Sequence, residues 1–303
     1  MHGGLSVRAV DGRRPLDRGE PFLWRALVTA HEDLLTGDVL QRVPGLAWSR
    51  LVGRLSRLQL PGPVLRGVIA SYATLLDVEM SEAAVPEGGF STLGEFFARE
   101  LLPGVRRVDT APRALVAPCD GVVRAVGELR DRGRGARFVV KGREHSVAEL
   151  LERQGWWSEA PEGGFVVIYL SPSDYHRVHS PVDGELRSLW RLPGTCWPVN
   201  RLGQAIAPRA VVRNERLVFD LATEEGPVAL AMVGALAVRE IQVSLAGAED
   251  LLERGEPPVP VARAQQIAVF NLGSTVVMLW QGRAKLDVRS GHRVRVGESV
   301  ARR

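Results

Sequence analysis

GPVALAMVGALAV, residues 226–238, and QQIAVFNLGSTVVMLWQ, residues 265–281, are the longest charge-free apolar stretches of this 303-residue chain. Both are shorter than the roughly 20 apolar residues a helix needs to cross a bilayer. Gln265, Gln266 and Asn271 interrupt the second, so buried strands explain the pair better than membrane spans. Working outward, β-type runs follow one another at 115–117, 121–126, 138–140, 165–170, 211–221, 228–234, 236–243 and 275–280. Gly and Pro punctuate them, as in Pro161-Glu162-Gly163-Gly164 and Pro193-Gly194. Only one helix is expected among them, over 146–154. Many strands with few helices between them predict a mostly antiparallel sheet rather than a βαβ array. Residues 247–263, with Gly255, Pro257, Pro258 and Pro260, read as a loop, and the arginine-rich C-terminal tail as weakly ordered.

The N-terminal third reads as helical. From 46 to 58, Trp48, Leu51, Val52, Leu55 and Leu58 recur at three- and four-residue steps, with Arg50, Arg54 and Arg57 on another face. A second helix is expected from Pro63, with Leu65, Val68, Ile69, Tyr72 and Leu76 on its stripe. Thr92 with Glu95 fits a capping box for a short helix carrying Phe96 and Phe97. The fold class is therefore α+β. N-terminal helices occupy residues 1–110, and a mostly antiparallel β-rich region follows over 111–303.

Apolar residues make up 45% of the chain and charged residues 24%, which excludes wholesale disorder, collagen and coiled coil. Cys119 and Cys196 are too few to staple the fold or form a Cys₄ zinc site, and they suit a reducing compartment. Arg8, Arg13, Arg14, Arg18 and Arg25 interrupt any signal-peptide core, so a cytoplasmic location is expected. Lys141 and Lys285 are the only lysines, which leaves a lysine-tethered cofactor two attachment points. Between Asp38 and Asp77 there is no acidic residue, whereas Arg42, Arg50, Arg54, Arg57 and Arg66 are present. Such a stretch either solvates its arginines on a packed helix or faces an anionic lipid surface.

Three clusters carry side chains fit for chemistry. Pro118-Cys119-Asp120-Gly121 lies between two β-type runs and reads alone as a hairpin corner. Tyr175-His176-Arg177-Val178-His179 places two of the six histidines three apart. That spacing lacks the third ligand a metal requires, so no metal is expected there. Phe270-Asn271-Leu272-Gly273-Ser274-Thr275 holds the only Gly-Ser pair. It is either a bend between buried strands or a site where the serine hydroxyl attacks the preceding carbonyl, which glycine leaves unobstructed. That attack needs a base and a carboxylate to orient it, for which Asp120 and the two histidines are candidates.

TLGEFFARELLPGVRR (92–107), APCDG (117–121), YHRVH (175–179), GTCWPVN (194–200), Asn214-Glu215-Arg216 and LGSTVV (272–277) occur in an order and spacing that resemble phosphatidylserine decarboxylases. The likeness runs from about residue 40 to the C-terminus. It implies a proenzyme cut between Gly273 and Ser274, with His179 as base and Asp120 orienting it. The resulting ester would eliminate and hydrolyse, leaving a pyruvoyl group derived from Ser274 and releasing ammonia. The products would be a β chain, 1–273, and an α chain, 274–303. The pyruvoyl forms a Schiff base with phosphatidylserine and acts as the electron sink for its decarboxylation to phosphatidylethanolamine, a step His176 serves.

The same resemblance implies a peripheral protein on the cytoplasmic face of the membrane. The basic N-terminal helices would dock on anionic lipid, and a homo-oligomer without nucleic acid is expected. The chain departs from the family pattern at Arg263, Ala264, Gln266, Ala268 and Val269, and at Arg239. Three rival readings are a pyruvoyl decarboxylase of another serine-headgroup lipid or free amino acid, an uncleaved non-catalytic relative, and a His-x-x-His metal hydrolase.

Overall fold

The computed structural model describes residues 56–131, 135–140, 142–153, 162–197, 209–235, 241–248, 258–270 and 275–303. Most of the expected 46–58 helix, Arg239, Gly273 and Ser274 lie outside the described residues.

Both apolar stretches that open the sequence reading contain central strands. Val228–Val233 and Thr275–Gln281 pair antiparallel in the middle of an eight-stranded sheet. Every residue from Val228 to Val233 is buried, so side chains on both faces of that strand are covered. This is why its sequence is continuously apolar rather than alternating. The sheet order is Val259–Val261, Gly184–Leu192, Arg216–Ala222, Val228–Val233, Thr275–Gln281, Gly163–Tyr169, Gly121–Glu128 and Arg293–Val294. Each neighbouring pair in it is antiparallel. Two smaller sheets flank the functional segments. One comprises Ile241–Val243, Gln266–Phe270 and Arg177–His179, the other Lys285–Leu286, Ser299–Arg302 and Ala114–Val116. The expected α+β class with an antiparallel core is borne out.

Three local expectations are corrected. The 211–221 run divides into a helical turn, Ala210–Arg213, and a strand, Arg216–Ala222. The break falls at fully buried Asn214, whose amide bonds the Trp197 amide and carbonyl and the Gly234 carbonyl. Val259–Val261 is a strand, not loop, and its position at a sheet edge accommodates Pro260. The C-terminal tail is ordered: Ser299–Arg302 pairs with Ala114–Val116 and buries Val300 and Ala301 completely. Its arginines are matched, Arg302 by Asp109 and Asp287 and Arg303 by Thr223 and Gly226.

The expected 146–154 helix is shorter, Val147–Leu151, with the Ser146 hydroxyl accepting from the Glu149 amide. The expected helix at Pro63 spans Gly62–Leu76. It buries Leu65, Ile69 and Leu76, but Val68 turns to the opposite, exposed face with Val64. The Thr92 hydroxyl accepts from the Glu95 amide and so caps the helix Leu93–Phe97. Phe96 and Phe97 pack edge-to-face with Tyr72 in a small core of their own. This core is tied to the loop before the two histidines. The Tyr72 hydroxyl donates to the Pro172 carbonyl, and Arg177 donates to the Ala98 carbonyl.

Candidate functional site

Asp120 does not sit in a hairpin. The strand before it, Ala114–Val116, and the strand after it, Gly121–Glu128, belong to different sheets. Gly121 makes the change of direction at φ 155°, where a Cβ would stand 2.4 Å from the Tyr169 carbonyl oxygen. A side chain there is excluded by the close approach of the backbone.

The Arg177–His179 strand brings the second cluster alongside. The His179 amide donates to the Pro118 carbonyl at 2.8 Å, and Gln266–Phe270 pairs on the other side. The Phe270 amide donates to the His176 carbonyl at 2.9 Å. Five residues later Thr275 begins the main-sheet strand opposite Tyr169 and Val233. The chain on both sides of Gly273-Ser274 is therefore built into sheet, and the residue preceding this segment is bonded to His176.

The protonation of His179 follows from its partners. Its Nδ1 lies 2.7 Å from the Ala264 carbonyl oxygen, which can only accept. Nδ1 therefore carries the proton, and Nε2 accepts from the Tyr175 hydroxyl at 3.0 Å. Burial lowers the His179 pKa below the ordinary imidazole value, against the Ala264 hydrogen bond and the Asp120 charge, which raise it. His179 is thus a neutral imidazole with a basic Nε2 at neutral pH.

Asp120 has other partners. Oδ1 accepts from the Val296 amide at 2.8 Å and Arg106 Nε at 3.2 Å, and Oδ2 accepts from Arg106 Nη2. Among the described residues no hydrogen bond joins Asp120 to His179. Arg106 also holds Glu82 at 2.8 Å, and Glu82 pairs with Arg295.

His176 is fully buried. Its Nδ1 lies 2.8 Å from the Asp174 carbonyl, to which it donates, and its Nε2 has no hydrogen-bond partner among the described residues. Burial, reinforced by the Arg99 charge, pushes its pKa down to about 4, so this imidazole is also neutral. The two histidines bond separate carbonyls, and no cluster of three His, Cys, Asp or Glu exists among the described residues.

Three family departures gain a structural setting. Ala264 stands in the left-handed region at φ 61°, and Arg263 donates to the Asp109 and Ala111 carbonyls. The Gln266 amide oxygen accepts from Arg177, whose charge is met by Glu100 at 2.9 Å. Reading the sequence singled out Asp120, His176 and His179 but gave no role to Ala264, Val296 or Arg106. The first two act through main-chain atoms, which leave no residue-type signal. Arg106 lay inside the quoted 92–107 motif.

The phosphatidylserine decarboxylase family model matches residues 93–302. Curated relatives are similar over most of their lengths. A phosphatidylserine decarboxylase proenzyme of Anaeromyxobacter sp. (strain K) is 34% identical over 280 residues, covering 88% of this chain and 98% of that one. Proenzymes of the same name from Marinobacter nauticus and Azotobacter vinelandii are 37% and 35% identical, covering 78% and 83% of this chain and 85% and 92% of theirs.

Proposed function

The chain belongs to the phosphatidylserine decarboxylase family, and on that premise we propose that it is a self-processing proenzyme that decarboxylates phosphatidylserine to phosphatidylethanolamine. Scission falls between Gly273 and Ser274, whose hydroxyl attacks the Gly273 carbonyl. The observation that carries the reading is the state of His179, a buried neutral imidazole whose unprotonated Nε2, held by the Tyr175 hydroxyl, is the basic nitrogen of the ring. Its orienting partner is the Ala264 carbonyl, with the Tyr175 hydroxyl at Nε2. Asp120 acts at longer range, its charge favouring the imidazolium that forms when Nε2 takes a proton. Its carboxylate also holds the Val296 amide, which belongs to the α chain after scission.

The residues beside the 271–274 segment fit a pyruvoyl group at position 274. His176 Nε2 is a fully buried acceptor without a partner among the described residues, which a substrate ammonium or a bound water would satisfy. The pyruvoyl supplies the electrophilic carbonyl and electron sink that decarboxylation of a serine headgroup needs. His176 stays neutral down to about pH 4 and positions or relays a proton beside it.

We assign residues 1–110 to a lipid-facing region and 111–303 to the catalytic one. No helix among the described residues is long and apolar enough to cross a membrane. Arg57 and Arg66, with exposed Val64 and Val68, support peripheral docking on anionic lipid at the cytoplasmic face. Assembly of more than one copy belongs to the same reading.

The test is carbon dioxide release from phosphatidylserine vesicles, combined with intact mass. Wild type is expected to show two chains and activity, and Ser274→Ala one uncut, inactive chain. Cleavage in Ser274→Ala would falsify the assignment.

A further inference from the structure

A cavity opens between residues 101–108 and a floor that includes Tyr175, His179 and Gln266. Its two ends differ in chemistry. The floor is polar and contains the histidine discussed above. The opposite side carries the aliphatic Leu101, Leu102, Val105 and Val108, with Glu100 and Arg106 among them. Leu102 and Val108 are exposed by 44% and 37%, and they are two of only seven large hydrophobic side chains exposed among the described residues.

The wall is fixed in place. The Leu102 amide donates to the Glu82 carbonyl at 2.9 Å, and the Asp109 amide to the Gly297 carbonyl at 2.8 Å. Between these anchors Arg106 is clamped to Glu82 and Asp120. The cavity therefore has its shape before any ligand arrives, which reduces the ordering cost of binding.

We infer that this cavity seats the glycerol backbone and first acyl methylenes of a serine-headgroup diacyl lipid, with Leu102 and Val108 on the rim against the bilayer. The inference rests on the decarboxylase reading. Exposed aliphatic side chains at Leu102 and Val108, with a polar, histidine-bearing floor behind them, match an amphiphile whose headgroup must reach that floor. A water-soluble amino acid would leave the aliphatic wall without a partner.

The test uses the processed, full-length protein with dihexanoyl phosphatidylserine as dispersed monomers. The variants are Leu102→Ser, Val108→Ser and their combination. KM should rise about tenfold in the double variant, with kcat within about twofold, the signature of lost uniform binding. Intact mass confirms that scission is complete in each. An unchanged KM overturns the proposal.

A second readout is independent of turnover. Dihexanoyl phosphatidylserine bearing a terminal acyl diazirine should label the 101–108 peptide on irradiation, and labelling confined to other peptides overturns the seat. If wild type released no carbon dioxide, the catalytic reading would fall, and the photolabel would still decide where the lipid sits.

Discussion

His179 Nδ1 lies 2.7 Å from the main-chain carbonyl oxygen of Ala264, a residue held at φ 61°. The left-handed conformation aims that carbonyl at the imidazole, and an alanine Cβ disfavours it by roughly 1–2 kcal/mol. Ala264→Gly keeps the carbonyl and removes the strain. It should stabilise the protein by about 1 kcal/mol, net of the greater freedom of glycine in the unfolded chain. A urea midpoint measures the gain, and self-processing should be as fast as in wild type. Loss of stability would show that the turn is not strained.

The same imidazole sets a pH dependence. Its folded-state pKa lies below the ordinary value of about 6.5. The neutral base is therefore fully present at neutral pH and is lost as pH falls through the depressed folded-state pKa. Self-processing, followed on denaturing gels after synthesis at neutral pH is interrupted, should slow only below about pH 6.5. By linkage, the depressed pKa makes the group destabilising at low pH, because the unfolded state binds the proton more readily. A rate that falls on raising the pH from 6 to 8 would contradict a histidine base.

Tyr175 donates to the nitrogen that must accept the proton. A donor at Nε2 favours the neutral ring. Tyr175→Phe removes it, so the His179 pKa should rise and the acid limb of processing move to higher pH. A hydrogen bond of about 1 kcal/mol corresponds to somewhat less than one pH unit. The pH profile of processing, with nitrogen-15 shifts of His179, checks both direction and size.

Legibility in the sequence differed sharply between kinds of residue. Val228–Val233 and Thr275–Gln281 were readable because strands buried on both faces must be apolar throughout. The 211–213 turn was not, because it ends at an amide network linking Asn214 to Trp197 and Gly234. The ordered tail was hidden for a related reason. Arg302 finds Asp109 across 193 positions, a pairing no local window contains. At the site, Asp120 and both histidines announced themselves by residue type. The Ala264 carbonyl and Val296 amide did not, because every non-proline residue carries the same two groups. The orienting role of Asp120 was implied by the family resemblance, on the motif that carries it. In the structure His179 bonds the Ala264 carbonyl and Asp120 bonds Arg106.

That pairing makes Arg106 a sensitive position. Its guanidinium neutralises Asp120 and Glu82, with side chains exposed by only 11% and 18%. Arg106→Ala leaves two largely buried carboxylates without their shared partner, with Arg295 the remaining partner of Glu82. The expected loss is about 3–5 kcal/mol, the cost of breaking a buried pair from one side. Arg106→Lys should recover part of it, since a point charge meets one carboxylate better than two. Thermal unfolding of the three proteins compares them, and a loss below about 1 kcal/mol would mean that the carboxylates are better solvated than their burial implies.

Scission at Gly273-Ser274 should not release the C-terminal chain. Thr275–Gln281 lies between Val228–Val233 and Gly163–Tyr169, hydrogen-bonded on both sides, with Val276 through Trp280 fully buried. Withdrawing it would open two strand edges in the centre of the sheet and expose its aliphatic and aromatic side chains. Further ties lie beyond the strand: Arg293 to Asp174, Arg295 to Glu82 at 2.7 Å, and the Val296 amide to Asp120 at 2.8 Å. The processed protein should therefore retain both chains together under native mass spectrometry and show two on a denaturing gel. The chains should part only in the denaturant range that unfolds the sheet as a whole, monitored by far-ultraviolet circular dichroism. Dissociation well below that range would mean that the 275–281 strand is not integral to the folded core.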